Sequence, residues 1–357
     1  MRIVSLLPGV TEVIYELGLG AQLVGRGREC TEPAAARLVP VVAYEAARAK
    51  GGWGAADGEA VGPFVAAPPH HHEAPYRLDL AAVRSIRPEV IVTTETCPVC
   101  AARYEPAGTG PPSVAVAQGV LGGEPVRAVS VTPGPLEHAV DLIPAVAAAL
   151  GVPERGRALH QTRSARLLAL RMHVARFLVR SGAPRPVVAF VEGSAPPRAP
   201  RPWIAEMVDA AGGRPAVLAR APSTTGGVRI AGMVGTAAGW PAQAAPDGAA
   251  AADVVAGLPA FQPDVLVVGT RAPDIAAGRA GVARLLARDE WCDLPAVRHG
   301  RTWLVQLSPD FDHYGPRLIH GVETLIRIIF PEALGANGAL PAPHLAVRVE
   351  PRIQAEP

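Results

Sequence analysis

The stretch from Pro153 to Ser181, PERGRALHQTRSARLLALRMHVARFLVRS, constrains this chain more than any other. After Pro153 it contains no proline, and Gly156 is its single glycine. Apolar residues recur at Leu167, Leu168, Leu170, Val174, Phe177 and Leu178. The spacing predicts one helix of roughly eight turns at 3.6 residues per turn. A helix of that length in the middle of a 357-residue chain is a candidate spine between two lobes.

On both sides of it, strand and helix signals alternate. RIVSLL reads as a strand, Pro8-Gly9 as a turn, and TEVIYELGLG as a helix with Thr11 at its N-cap. AQLVGRGREC reads as a second strand that ends at Cys30, and EVIVTT as a later one that runs toward Cys97. After the long helix, RPVVAFVEG, DVLVVGT and RTWLVQLS repeat the strand pattern, with helical segments between them. Residues 43–75 and 220–252 are rich in Gly, Ala and Pro and read as a surface loop and an irregular insertion. The expected organisation is an α/β lobe over 1–150, a linking helix over 151–182, a second α/β lobe over 183–335 and a tail over 336–357. In open parallel sheets, ligands gather beyond the carboxyl ends of the strands. That rule singles out Ser5 to Thr11, Cys30, Cys97, Cys100, Glu192, Thr270-Arg271 and the stretch from Ser308 to Arg317.

Composition removes several classes of function. A formal net charge of +2 without a basic run, with five Tyr and five Trp, lacks the electrostatic footprint and stacking platforms of a nucleic-acid binder. No apolar stretch approaches the roughly 18 residues of a membrane span. Pro8, Glu12 and Glu16 interrupt the N-terminal apolar run before a leader-type core can form, so a cytoplasmic protein is expected. Four cysteines in a reducing compartment point to free thiols, ligands or redox centres instead of structural disulfides. The sequence has no G-x-S-x-G, H-E-x-x-H or Walker motif, so a binding protein is favoured over an enzyme.

RIVSLLPGVTEVIYELGLGAQLVGRGREC resembles the opening of the substrate-binding proteins of cobalamin and iron-siderophore ABC importers, particularly their leaderless cobalamin-binding-like branch. YRLDLAAVRSIRPEVIVTTETCPVC, LLARDEWCDLPAVRHGRTWLV and YGPRLIHGVETL are similar to later blocks of that family, in the same order. The resemblance implies two Rossmann-like α/β lobes joined by one long rigid helix, the class III periplasmic-binding-protein architecture, with a ligand clamped between the lobes. It implies a tetrapyrrole ligand, a corrinoid above all. Arg28-Glu29-Cys30 stands at the family's HEC-like position, Gly193 where relatives carry an aromatic, and Trp203 supplies an aromatic later in the chain.

The candidate ligand-binding residues are then Pro8, Thr11, Glu29, Glu192, Trp203, Arg271, His313, Tyr314 and Arg317. The PGVTE turn presents backbone N–H groups that suit an anion. Arg271 and Arg317 can grip carboxylate or phosphate groups in bidentate fashion. His313 can be an axial ligand to cobalt or heme iron, a polar contact, or an exposed loop residue. Cys30, Cys97 and Cys100 leave three readings open: three thiolates for zinc or an iron–sulfur cluster, small buried apolar groups, or a CxxC redox pair with a spare. The first would make the protein a metalloprotein or metalloenzyme built on the receptor fold. A further alternative is an importer's binding protein whose export signal is not in this sequence. His70, His71 and His72 form a tract that can bind metal or simply be solvated.

Overall fold

The computed structural model describes residues 1–45, 76–93, 126–194, 197–201, 203–216, 227–231, 257–271, 275–307, 309–334 and 346–349. They form two compact units, each built on its own sheet.

The first unit contains strands β1 (Ile3–Ser5), β2 (Leu23–Gly27), β3 (Val41–Glu45), β4 (Tyr76–Leu78), β5 (Val90–Thr93) and β6 (Arg127–Thr132). Helices α1 (Pro8–Glu16), α2 (Leu80–Ile86) and α3 (His138–Ala149) cover it. Strands β3, β2, β1, β5 and β6 are parallel neighbours in that spatial order, and the two edge strands run antiparallel to them. Helix α1 starts at Pro8 and not at Thr11, because a proline at the first helical position lacks only an N–H that would have no partner anyway. One face of the sheet is closed by Val4, Leu6, Val42, Ile91 and Ala128, all buried.

The expected long helix is present as α4 (Pro153–Ser181), with both expected ends. It belongs to the first unit through Arg163 and to the second from Ser164. Glu154 in its first turn and Arg180 in its last match the helix dipole. In the second unit Leu167, Leu170 and Val174 turn into the core.

The second unit carries β7 (Val187–Glu192), β8 (Arg214–Pro215), β10 (Val265–Thr270), β11 (Thr302–Gln306) and β12 (Ala346–Val349), in the order β12-β11-β10-β7-β8. Only β12 is antiparallel to its neighbour. The helices of this unit are α5 (Trp203–Ala210), α6 (Ile275–Leu286), α7 (Asp289–Cys292), α8 (Pro295–Arg298), α9 (Pro309–Asp312) and α10 (Leu318–Ile329). Both faces of a parallel sheet are covered, which explains why VLVVGT is buried throughout. Leu266, Val268 and Leu304 pack against Leu285, Trp291 and Val297.

The units are not contiguous in sequence. Strand β9 (Gly227–Ala231) lies in the stretch expected to be an irregular insertion, yet it pairs antiparallel with β6 and completes the first sheet. Its Gly- and Ala-rich surroundings hid a strand whose order comes from the edge it joins. Tyr314–Pro316 also belongs to the first unit, while His313 and Arg317 on either side belong to the second.

Candidate functional site

An open parallel sheet has a crevice where successive strands depart to opposite sides of the first strand. In the first unit that point lies between β1 and β5. In the second it lies between β7 and β10. The carboxyl ends there are Ser5 and Thr93 in the first unit, Glu192 and Thr270-Arg271 in the second.

At the second unit's switch point a charged cluster is assembled. Gly193 takes φ 76°, a left-handed conformation that favours glycine, and its N–H donates to the Gly269 carbonyl at 2.7 Å. The chain then turns back so that Glu192 and Arg198 exchange backbone hydrogen bonds. This turn brings the Arg201 N–H to Glu192 Oε1 at 2.9 Å. The Arg201 side chain donates from Nε and Nη2 to Asp312 Oδ1 at 3.2 Å. Arg271, at the end of β10, grips both oxygens of Asp312 at 2.7 Å and lies 3.9 Å from Glu192 Oε2. A parallel pair sits alongside, with Arg317 Nε donating to Asp310 Oδ1 at 2.8 Å and His320 Nδ1 3.8 Å from the same oxygen.

The electrostatics of these groups differ in sign. Burial raises Glu192 above the ordinary carboxylate range, because Arg201 and Arg271 oppose the desolvation only in part and Asp312 adds repulsion. Burial works on Asp312 in the same direction, but Arg201 and Arg271 outweigh it and hold that carboxyl below the usual range. Asp310 is likewise lowered, by His320 and Arg317 against the effect of burial. His313 is pushed down to about 4 by burial, against the pull of Asp312, so its imidazole is neutral at pH 7. Its Nδ1 is enclosed and has no hydrogen-bond partner among the described residues. Three carboxylates thus face three guanidiniums beside one neutral imidazole.

The first unit's strand end is built from uncharged groups. Thr11 Oγ1 lies 2.8 Å from Ser5 Oγ and 3.0 Å from the Leu7 carbonyl. The Cys30 Sγ donates to the Ser5 carbonyl at 3.5 Å, and burial pushes this thiol up to about 12. It is a neutral, fully enclosed group. The loop that carries exposed Glu29 is pinned by Arg26, which donates to the carbonyls of Arg28 and Val39 at 3.0 Å. Pro8 is buried at the start of α1, and the next residue meets the backbone of the returning segment. A Cβ on Gly9 would collide with the Tyr314 carbonyl, so only glycine permits this approach. Tyr314 Oη donates to the Pro135 carbonyl at 3.0 Å.

The expected residues are therefore distributed as follows. Glu192, Arg271 and His313 meet in the charged cluster, and Arg317 belongs to the neighbouring ion pair. Trp203 is buried and donates its indole N–H to the Phe311 carbonyl at 2.8 Å, and the Phe311 ring lies 5.7 Å from that of Phe190. Cys97, Cys100 and the His70–His72 tract lie outside the described residues. Among the described residues no group of three or more His, Cys, Asp and Glu side chains is placed to hold a metal ion. Sequence reasoning missed Arg201, and it took in Asp310 and Asp312 only as part of the stretch from Ser308 to Arg317, without naming them as binding residues. Two aspartates within the four residues Pro309–Asp312, just past the strand RTWLVQLS, were the available signal.

Solved structures with this architecture exist. A periplasmic heme-binding protein from Pseudomonas aeruginosa has 22% identity and a TM-score of 0.59, over 93% of each chain. The periplasmic heme-binding protein BhuT, solved with two hemes, has 25% identity and a TM-score of 0.58, over 94% of this chain and 99% of its own. The chain has the fold of these binding proteins. The resemblance read from the sequence blocks is borne out, as is the two-lobed α/β class. The periplasmic vitamin B12-binding protein BtuF of Vibrio cholerae, at 20% identity and a TM-score of 0.53, covers 93% of this chain and 97% of its own. No protein-family model matches the sequence, and no curated protein matches it either. The cytoplasmic location expected from the N-terminal residues is corrected by these structures, which are periplasmic proteins. Interruption of the first apolar run by Pro8 and Glu12 reflects the packing of α1, whose Glu12 is buried, and says nothing about compartment. Among the described residues no helix is long and apolar enough to cross a membrane.

Proposed function

We propose that the chain binds a tetrapyrrole and serves an ABC importer from the periplasmic side, with a corrinoid as the ligand. The fold neighbours support the ligand class, since those named above bind heme or vitamin B12. The observation that carries the finer reading is the charge balance at the switch point between β7 and β10. Arg201 and Arg271 are already neutralised by Asp312 and Glu192. A ligand with free propionates would have to compete with Asp312 for Arg271. One that presents amides can instead accept from Arg271 and donate to the carboxylates without disturbing the pairs.

His313 adds a second element to this reading. A metal takes only a deprotonated ring nitrogen, and burial keeps this imidazole neutral well below pH 7. It would supply one axial nitrogen to cobalt or iron. Thr11, Trp203 and Tyr314 use their polar atoms within the protein, each bracing a segment of its own unit: Thr11 the end of β1, Trp203 the Phe311 carbonyl and Tyr314 the Pro135 carbonyl.

Titration with aquocobalamin and with hemin, followed by visible absorption, tests the assignment. The expected result is saturable binding of cobalamin, with a spectral change on coordination that His313→Ala removes. Tighter binding of hemin would overturn the corrinoid reading. No spectral change and no affinity below about 1 mM for either, a binding free energy of less than about 4 kcal/mol, would overturn the tetrapyrrole reading.

A further inference from the structure

In its second-unit portion, helix α4 turns one apolar face to the core and a second one outward. Leu168, Met172 and Val179 are 58%, 44% and 84% exposed, among the few large apolar side chains left in solvent among the described residues. They are not scattered. With Ala165 and Ala175, both exposed, they recur at intervals of three and four along Ala165–Val179. That is the a/d spacing of a two-heptad coiled-coil seam, on the side of the helix opposite the buried Leu167, Leu170 and Val174. In this register Arg171 falls at a g position and exposed Arg176 at an e position, one on each flank of the seam. Every Asp, Glu, Lys or Arg from Arg155 to Arg180 is an arginine.

We propose that Ala165–Val179 is a docking seam for one acidic helix of a partner protein. Residues at e and g select the partner by charge, and arginine on both flanks selects Glu or Asp. The same flanks disfavour a second copy of this chain, because either orientation sets arginine against arginine across the interface. A lipid surface fits less well. An interfacial helix buries a broad apolar face with bulky residues, whereas this stripe is narrow and two of its five positions are alanine. The seam spans about 21 Å at 1.5 Å per residue, short for a coiled coil, so the contact is a reversible one.

The test uses the full chain and a labelled synthetic peptide of about three heptads, with Leu at a and d and Glu at e and g. A second peptide carries Lys in place of Glu. Fluorescence anisotropy is expected to give a Kd on the order of 10–100 μM for the Glu peptide and at least about tenfold weaker binding of the Lys peptide. Arg171→Glu/Arg176→Glu should reverse that preference, and Arg176→Glu alone, at an exposed site, should weaken Glu-peptide binding without affecting the fold. Met172→Ser/Val179→Ser should weaken it as well. No saturation by about 1 mM, equal binding of both peptides, or indifference to these substitutions would overturn the proposal. So would a dimer in sedimentation equilibrium that Met172→Ser/Val179→Ser dissolves. Binding to phosphatidylglycerol vesicles that the same variant abolishes would replace the protein partner by a lipid.

Discussion

The two strand ends that mark the switch points are built by opposite means. In the first unit a threonine, a serine and a thiol satisfy one another and nearby carbonyls, and Gly9 closes against the Tyr314 carbonyl with no side chain between. In the second, carboxylates and guanidiniums meet at 2.7 to 3.9 Å. The same sheet architecture therefore carries one end held by neutral hydrogen bonds and one held by ion pairs. Neutral hydrogen bonds contribute modestly and cost little to bury. Paired charges contribute little net stability but make the loss of one member expensive.

The largest expected effect tests the charged end. Asp312→Ala leaves Arg201 and Arg271 facing each other with one carboxylate fewer, and should cost about 3 kcal/mol in urea unfolding, discounted because Arg271 is partly in water. If Ser5→Ala costs as much, the contrast between the ends fails. Next comes the backbone contact at the neutral end. Gly9→Ala forces a Cβ into the Tyr314 carbonyl and should cost about 2 kcal/mol at every pH, read as a shift in the urea midpoint.

The pH dependence sharpens the comparison further. His313 is neutral in the folded protein down to about 4, against an ordinary value of 6.5. A depressed pKa gives stability that is fully present above the unfolded value and is lost as pH falls through the folded one. The urea midpoint should therefore drop between pH 6.5 and about 4, a loss on the order of 2 kcal/mol that His313→Gln removes. Glu192 has the opposite sign. Its raised pKa means that stability is gained as pH falls and lost as pH rises through the folded value, so Glu192→Gln should stabilise the protein at neutral pH relative to acid pH. The smallest effect is Thr11→Val, about 1 kcal/mol and flat with pH, since Ser5 Oγ can still donate to the Leu7 carbonyl at 3.3 Å.

What the sequence made legible follows from what is local. The ends of α4 are written in its own residues, by Pro153 at the start and by Gly182, at φ 61°, after its last residue. Glu192 and Arg271 were found because a short apolar run followed by a polar residue is visible as a strand end, and the switch-point rule then gives it meaning. Arg201 was not found, and Asp312 was not singled out within its stretch, because their pairing joins positions 111 residues apart and leaves no periodic trace. Leu168 shows the same limit from the other side. It fits the apolar repeat of the core face as well as its neighbours do, and only the packed structure reveals that it points outward.

Strand β9 carries a consequence for the making of the protein. The ribosome releases β6 long before it releases Gly227–Ala231, and the whole of α4, β7 and α5 emerges in between. Until then the newest edge of the first sheet presents open N–H and C=O groups, and Gly9 lacks the Tyr314 backbone it will later touch. A nascent chain at this stage is a sheet with an unguarded border, the condition that invites pairing with a stranger. The late return of five residues is thus a safeguard that arrives after the hazard it removes, and the interval between them is a span in which a chaperone would have work to do.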